Sequence, residues 1–281
     1  MASTMPQRAP RRSAATLASV GSATIHLYSY ALSPYAAKVH AFLVWKGLPF
    51  TTVYVDPLRA RRELPVGHTV PVLEIDGVAR NDSTPIGLWL EERFPERPAL
   101  LPRSASDREA VLGIDAWVTA RLIPAAFRLM LAAGEPWRTR VRNRRRGARA
   151  LQATAPRGLP GALRWLYPLV VARPAFIRHQ LQAADPGVPM QAYLDAVYSE
   201  LDRKLAAGSY LDGRAEPGLA DLSAWAQLAL PYLAGYDDAD RFLSHAPLAR
   251  WFSKLAERLP EDPPLLPPSL CLRPLAGADP S

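Results

Sequence analysis

The sequence predicts an α+β domain followed by an all-α domain. In the first hundred residues, short runs of β-branched and aromatic residues precede and follow a predicted helix, which is typical of strands. From about Asp107 onward, apolar residues recur at helical spacing. A length of 281 residues with 49% hydrophobic content suffices for two buried cores. The predicted divisions are a disordered tail at 1–23, the α+β domain at 24–100, a helical domain at 105–260 with an arginine-rich insert at 134–190, and an extended tail at 261–281.

The first three elements are predicted as strand, helix and strand. Residues 24–30 alternate in character and are rich in β-branched and aromatic side chains, which is typical of a strand. Ser33 and Pro34 then form a helix start, with serine as N-cap and proline at the first helical position. The helix ends near Gly47. Residues 51–55 form the second strand, so the two strands are expected to be parallel and joined by a crossover helix.

A β-hairpin and another helix follow. Residues 70–75 predict a third strand, Asp76 and Gly77 a tight turn, and residues 78–80 a fourth strand. Pro71 at the start of the third strand cannot donate to the ladder, so it is either an edge feature or a cis turn. The polar cluster at 81–84 precedes an amphipathic run and predicts a helix start. The predicted order is therefore β-α-β-β-β-α.

This order of motifs resembles the glutathione-binding, thioredoxin-like half of the soluble glutathione transferases. The resemblance covers residues 24–104 well and 192–260 moderately. The stretch Ser33-Pro34-Tyr35 is similar to the Cys-Pro-Phe/Tyr pattern of the omega class and of glutaredoxins, with serine in place of cysteine. The resemblance implies a glutathione transferase that uses glutathione as co-substrate and conjugates its thiolate to a small hydrophobic electrophile, as in detoxification.

The resemblance implies that Ser33 faces the sulfur of glutathione. Amide groups and the positive dipole at a helix N-terminus favour an anion, and a hydroxyl can donate to a thiolate and lower the thiol pKa. Tyr28 and Tyr30 are alternative hydroxyls for the same role, and Ser33 acting only as an N-cap is another reading. Ala36 stands where glutaredoxins have a second cysteine, which argues against dithiol exchange. Tyr35 is expected to bind glutathione and to border the electrophile.

The remaining glutathione contacts are also implied by the resemblance. Val70, before a cis Pro71, would offer its backbone to the cysteinyl part of glutathione in strand-like pairing. Asp82 and Ser83 would hold the γ-glutamyl amine and carboxylate. His68 is the nearest basic candidate for the glycyl carboxylate. An ordinary strand-start proline and plain helix capping are the alternatives for these positions.

Arginine is concentrated in the middle of the chain. Between Ala116 and Ala184 there are thirteen arginines, one acidic residue and no lysine, so this stretch carries +12 and the remainder −4 of a total of +8. The densest cluster, Arg138–Arg149, is interpreted first as a solvated or disordered surface. A peripheral membrane contact is the main functional alternative, and nucleic acid ranks last because no nucleic-acid module is visible.

The cysteine and histidine content bears on disulfide bonds, cellular location and metal binding. The single cysteine, Cys271, excludes an intramolecular disulfide and favours the cytoplasm. The five histidines lack metal-ligand spacing, so no metal is expected. Family members usually dimerise, which implies a homodimer. Asp221 matches the aspartate of the family's capping box and is interpreted as structural.

Two other functions stay open. One is a non-catalytic glutathione-binding or scaffold protein of the metaxin or stress type, with the insert as its working surface. The other is an isomerase: residues 56–59 and 81–83 are similar to the soluble part of type 2 microsomal prostaglandin E synthase, whose cysteine is absent here.

Overall fold

The computed structural model describes residues 23–211, 213–260 and 262–275. Nearly all of the predicted N-terminal tail, 1–22, and the last residues, 276–281, lie outside the described residues. The α+β domain contains seven elements in this part of the chain: β1 (Ile25–Ser29), α1 (Pro34–Trp45), β2 (Thr51–Tyr54), α2 (Ala60–Glu63), β3 (Val72–Ile75), β4 (Val78–Asn81) and α3 (Ser83–Arg93).

The four strands form one mixed sheet in the order β2-β1-β3-β4. Strand β1 is parallel to β2 and antiparallel to β3, and β4 is antiparallel to β3. Leu27 on β1 belongs to the main core together with α1, whereas Tyr28 and Tyr30 pack against a small cluster that includes Val55 and Leu64. The predicted α+β class and the parallel β-α-β unit are confirmed.

Two local predictions differ from the structure. Strand β3 begins at Val72 and not at Val70, since Pro71 has no N–H to donate to a ladder. The connection after β2 contains the short helix α2, which the sequence did not predict. With four residues, α2 is too short to produce a helical period of apolar side chains.

The second domain is entirely helical within the described residues. Its first run joins α4 and α5 through a π-helical turn, Val118–Leu122, and ends at Ala132 in the left-handed conformation, with φ 49°. Short 3-10 turns lie at Arg241–Ser244 and Pro268–Leu270. The α-helices are α4 (Ala105–Trp117), α5 (Ile123–Leu131), α6 (Trp137–Thr154), α7 (Gly161–Val170), α8 (Ala175–Ala183), α9 (Met190–Leu205), α10 (Leu219–Leu233) and α11 (Ala246–Ala256).

Helix α10 is the centre of the helical domain and packs directly against α1. All of its residues are buried. Asp221 in its first turn accepts hydrogen bonds from the amides of Gly218, at 3.1 Å, and Leu211, at 3.0 Å, and from Nε1 of Trp251 at 2.9 Å. The predicted capping contact of Asp221 with the N-cap amide is therefore confirmed, and the aspartate also connects α10 to α11.

The run Ala105–Leu131 is the one described helix that is long and apolar enough to cross a membrane by length and composition. Half of its apolar window is buried inside the protein, against α1 and α10 among others. This burial is what a core helix of a folded domain requires.

Helices α6, α7 and α8 form an insert, called the α6–α8 insert below, between α5 and α9. Arg142 and Arg146 pair with Asp237, and Arg144 donates to the carbonyl oxygens of Leu131, at 3.1 Å, and Pro168, at 2.8 Å. The interpretation of Arg138–Arg149 as a disordered surface is therefore wrong, while Arg142 is exposed as a solvated surface requires and Arg144 and Arg146 are partly buried. The cluster forms an ordered helix, and part of it caps carbonyl groups.

The two ends of the α6–α8 insert meet at Arg128, a fully buried residue of α5. Its guanidinium donates to the carbonyl of Ala133 before the insert, and to those of Ala184, Asp185 and Val188 after it. Five N–H donors in a rigid fork suit an arginine for such a set of carbonyl acceptors.

Candidate functional site

Three loops that carry the predicted site residues meet at one edge of the sheet. Tyr28 near the end of β1 is paired with Val72 at the start of β3, and Val72 is paired with Asn81 at the end of β4. The loop leading to α1, the Val70-Pro71 segment and the β4–α3 junction therefore lie side by side. This register brings together the polar groups that the sequence separates by about fifty positions.

Ser33 is the N-cap of α1. Its Oγ accepts a hydrogen bond from the amide of Ala36 at 3.3 Å, and the residue is only 8% exposed. The hydroxyl proton has no acceptor within the described residues, so it can be donated to an anion. The amide of Tyr35, in the first turn, has no acceptor within its own helix. The start of α1 therefore offers a hydroxyl, an amide and the positive end of a helix dipole.

The side chain of Gln227 on α10 fixes the start of α1 from the other domain. Its Nε2 donates to the carbonyl oxygen of Pro34 at 3.1 Å. Beside this contact, Ser33, Ser29, Tyr30 and residues of β2 and α10 line a cavity with room for about one water molecule. The helix start is therefore held by packing from both domains.

Tyr28 and Tyr30 differ from Ser33 in surroundings. The hydroxyl of Tyr28 donates to Oε2 of Glu74 at 2.9 Å, and burial together with this carboxylate raises the pKa of Tyr28. Burial, with Asp56 and Glu63 nearby, raises the pKa of Tyr30 to about 12. Both rings pack against the cluster on the α2 side of the sheet, whereas α1 lies on the other side. Ser33 therefore differs from both tyrosines, because its hydroxyl lies at the N-terminus of α1 and has no carboxylate beside it in the described part of the chain.

Val70 precedes the β3 ladder and is buried next to a cis Val70–Pro71 peptide bond. Because β1 and β3 pair only as far as Val72, the ladder leaves the N–H and C=O groups of Val70 unused. These groups are available to an extended peptide at this edge. His68, two residues earlier, is exposed and has no hydrogen bond or ion pair among the described residues.

Asp82 adopts an unusual backbone conformation at the start of α3, with φ 72° and ψ 130°. A positive φ in a residue other than glycine costs about 1–3 kcal/mol. Its side chain makes no capping hydrogen bond and is exposed, while Ser83 is buried as the first residue of the helix. Plain capping therefore does not account for Asp82, whose carboxylate is free to meet a cation beside the amides at the helix N-terminus.

A buried polar cluster lies directly behind this helix start. Lys38 of α1 is fully buried, and its Nζ donates to Thr84 Oγ1 at 2.8 Å and lies 2.7 Å from Oδ1 of Asp115 on α4. Thr84 and Ser223 both donate to Asp115 at 2.7 Å. Burial lowers the pKa of Lys38, while the charges of Asp115 and Asp82 act in the opposite direction. One carboxylate thus joins α1, α3, α4 and α10 next to the site.

The α6–α8 insert covers the other side of Tyr35. Nε2 of Gln180 on α8 donates to the Tyr35 hydroxyl at 3.3 Å. The ring of Phe176, also on α8, lies 6.0 Å from the ring of Tyr35 and 5.7 Å from that of Phe127 on α5. Burial raises the pKa of Tyr35. An aromatic wall with one amide therefore borders the start of α1.

Sequence reasoning did not predict that Asp115, Gln180 and Phe176 take part in the site region. For Asp115 a signal existed, because it lies four residues after the buried Val111 and on the same helix face. A carboxylate on an apolar helix face requires a buried partner. Gln180 and Phe176 lie within the insert, and no local pattern there indicates Tyr35 as their neighbour. Among the residues that the structure describes, no group of three His, Cys, Asp or Glu side chains could hold a metal ion.

Comparisons with known proteins identify the first domain. Residues 27–98 match the family "Glutathione S-transferase, N-terminal domain". Glutathione S-transferase Z1 of Arabidopsis thaliana is 36% identical over 99 residues, which are 33% of this chain and 44% of that protein. Glutathione S-transferase 1 of Dianthus caryophyllus is 37% identical over 91 residues, which are 30% of this chain and 40% of that protein. The match thus spans less than half the length of these curated relatives.

Solved structures resemble the whole fold. A glutathione S-transferase from Rhodospirillum rubrum has a TM-score of 0.57 at 22% identity, covering 86% of this chain and 91% of that one. Rice GST1 in complex with glutathione has a TM-score of 0.52 at 19% identity, covering 85% and 91%. At such identities the likeness concerns the fold alone. The first domain is therefore a glutathione S-transferase N-terminal domain, and the two-domain fold as a whole is similar to that of solved glutathione transferases.

Proposed function

We propose that this protein is a glutathione transferase that conjugates the thiolate of glutathione to a small hydrophobic electrophile. The observation that carries the proposal is the meeting of Ser33, Val70 and Asp82 at one edge of the sheet, each with a polar group left free of the fold's own hydrogen bonds. The glutathione bound in the rice neighbour supports the choice of ligand.

Glutathione would lie along this edge as an extended peptide. Its cysteinyl part pairs with the backbone of Val70, as an added strand does. Its γ-glutamyl carboxylate meets the α3 N-terminus at Ser83, and its amine meets the carboxylate of Asp82. His68, which is exposed and lies two residues before Val70, would meet the glycyl carboxylate. This arrangement places the thiol over the start of α1.

The chemistry needs a thiolate at neutral pH. The Ser33 hydroxyl and the dipole of α1 stabilise the sulfur anion, so the thiol loses its proton to solvent more readily. A sulfur lone pair then forms a bond to an electrophilic carbon, and the leaving group departs with the electron pair of its own bond. A hydrogen bond to a charged group contributes about 1.5–3 kcal/mol, which equals about one to two units of thiol pKa.

The electrophile would lie between Tyr35 and the helical domain. Phe127 and Phe176 supply apolar contacts there, and the amide of Gln180 orients the Tyr35 hydroxyl. Such a wall suits an apolar or aromatic substrate. The expected homodimer, the cytoplasmic location and a role in detoxification stay predictions.

The decisive experiment measures glutathione binding by calorimetry and then conjugation to an aryl halide across pH. We expect Ser33→Ala to keep glutathione binding, to raise the apparent pKa of the bound thiol by about one to two units, and to lower kcat at neutral pH. Ser29→Ala is a matched control, because its hydroxyl lines the same cavity but donates to the Tyr30 carbonyl. Ser104→Ala controls for the loss of an N-cap, here that of α4.

Two results would contradict the proposal in different ways. Absence of glutathione binding would remove every glutathione-dependent function. Full activity of Ser33→Ala would exclude this serine from the mechanism and favour Tyr28 or Tyr30.

A non-catalytic glutathione-binding or scaffold protein is the second candidate. The near-complete burial of Ser33 favours it, because the electrophile must approach the sulfur close to this residue. Binding of glutathione without turnover of any aryl halide or epoxide would support this candidate. The isomerase alternative has less support, since the single cysteine lies in the C-terminal tail, with its Sγ 3.7 Å from the Leu266 carbonyl oxygen.

A further inference from the structure

Helix α7 in the α6–α8 insert turns an apolar face to solvent. Trp165, Leu166 and Leu169 are 70%, 50% and 63% exposed. These positions fall within about one third of a turn of each other on a helix of 3.6 residues per turn, so they share one face. A face of two leucines and a tryptophan in water is unfavourable unless something covers it.

The packing of α7 fixes the direction of this face. Tyr167 and Pro168 lie on the other side of the helix, toward α6. The Tyr167 ring approaches Gly147, where a Cβ would lie 3.5 Å from its Cε1, and Arg144 donates to the Pro168 carbonyl. The apolar face of α7 therefore points away from α6, and no described aromatic ring packs against Trp165.

Positive charge surrounds this face. Residues 137–183 contain eleven arginines and neither lysine nor acidic residues. Arg142 and Arg146 are paired with Asp237. Eight others are exposed and make no ion pair within the described residues: Arg138, Arg140, Arg145, Arg149, Arg157, Arg164, Arg173 and Arg178. Arg164 also lies over the Trp165 ring, with its Cζ 5.5 Å from the centroid.

We propose that the exposed face of α7 docks on an anionic membrane surface, with Trp165, Leu166 and Leu169 in the lipid interface and the surrounding arginines on head-group phosphates. Tryptophan prefers the membrane–water interface, and an amphipathic helix with basic flanks binds there. Each arginine near an anionic surface raises the binding constant roughly fivefold at low salt.

The same observations argue against the other occupants. A second copy of the chain would bring two arginine-rich surfaces without acidic residues together, and these repel. A nucleic acid would match the arginines, but two leucines have no counterpart on a phosphate backbone. An anionic lipid surface satisfies both the charge and the apolar face.

The test is cosedimentation of the full chain with phosphatidylcholine vesicles, with and without phosphatidylglycerol. We expect binding to the anionic vesicles only, decreasing with salt, and a blue shift of tryptophan fluorescence on binding. The double variant Trp165→Ser/Leu169→Ser should lower the binding constant by about tenfold or more. Leu58→Ser is the matched control, because Leu58 is 61% exposed but lies in the first domain. Circular dichroism checks that each variant is folded.

Four outcomes would overturn the proposal. The first two are no binding of the wild type to anionic vesicles at low salt, and equal vesicle binding by the double variant and the wild type. The third is a change of oligomeric state in the double variant, which would indicate a second copy as the occupant. The fourth is displacement of the chain from vesicles by an oligonucleotide that binds it more tightly. The Arg145→Gln/Arg149→Gln variant tests the charge separately, and unchanged vesicle binding by it would also contradict the mechanism.

Discussion

Replacing Asp115 by alanine would leave the ammonium group of Lys38 buried without its carboxylate. The two side chains are 0% and 2% exposed, and Nζ lies 2.7 Å from Oδ1. Removing one partner of such a pair costs about 3–5 kcal/mol of unfolding free energy, because the remaining charge stays desolvated. Thr84 and Ser223 lose their acceptor as well, at about 1 kcal/mol each before relaxation. The loss is a large fraction of the about 5–15 kcal/mol typical of a folded protein.

Urea unfolding followed by far-UV circular dichroism measures this loss. Glu109→Gln, an exposed change on the same helix, should stay within about 0.5 kcal/mol of wild type. The double variant Lys38→Met/Asp115→Leu removes both charges and should recover most of the stability. The reasoning fails if Asp115→Ala costs less than about 1 kcal/mol, or if the double variant is as unstable as the single one.

Two further predictions concern titration and backbone strain. Burial lowers the pKa of His40 to about 4, although the carbonyls of Pro263 and Pro264 oppose the shift. The folded state therefore binds fewer protons than the unfolded state between about pH 4 and 6.5, so stability is full above pH 6.5 and falls by about 3 kcal/mol on acidification to pH 4. His40→Asn should remove this decrease in urea unfolding at a series of pH values, while a variant of the exposed His68 should keep it. Asp82→Gly should raise the unfolding free energy by about 1 kcal/mol, because glycine adopts a positive φ without strain. The same variant should weaken glutathione binding in calorimetry, because the carboxylate is lost. A gain in stability with unchanged affinity would exclude Asp82 from the site.

Much of the first domain could be predicted because its signals are local. The Ser33-Pro34 helix start, the Asp76-Gly77 turn and the strand at 51–55 each follow from residues next to one another in the sequence. The failures were equally local: α2 is too short for a period, and Pro71 delays the start of β3.

The part of the site that the first domain contributes was predictable, and the part that the helical domain contributes was not. Ser33, Val70 and Asp82 carry backbone and capping signals, so their positions were named from the sequence. The contribution of the helical domain was not predictable, because Gln180 meets Tyr35 across 145 positions and Gln227 meets Pro34 across 193. Contacts of that separation depend on how two complete domains pack, which no window of sequence contains.

The closure of the α6–α8 insert by Arg128 has a consequence for protein engineering. The chain leaves at Gly134 and returns at Pro186 so closely that a Cβ at the glycine would lie 2.9 Å from the proline carbonyl oxygen. Residues 135–185 therefore begin and end at nearly the same point of the fold. A short turn joining α5 to α9 could replace them without stretching the chain. Such a minimal chain would lack the contacts of Gln180 and Phe176 with Tyr35, so the start of α1 would be uncovered on that side.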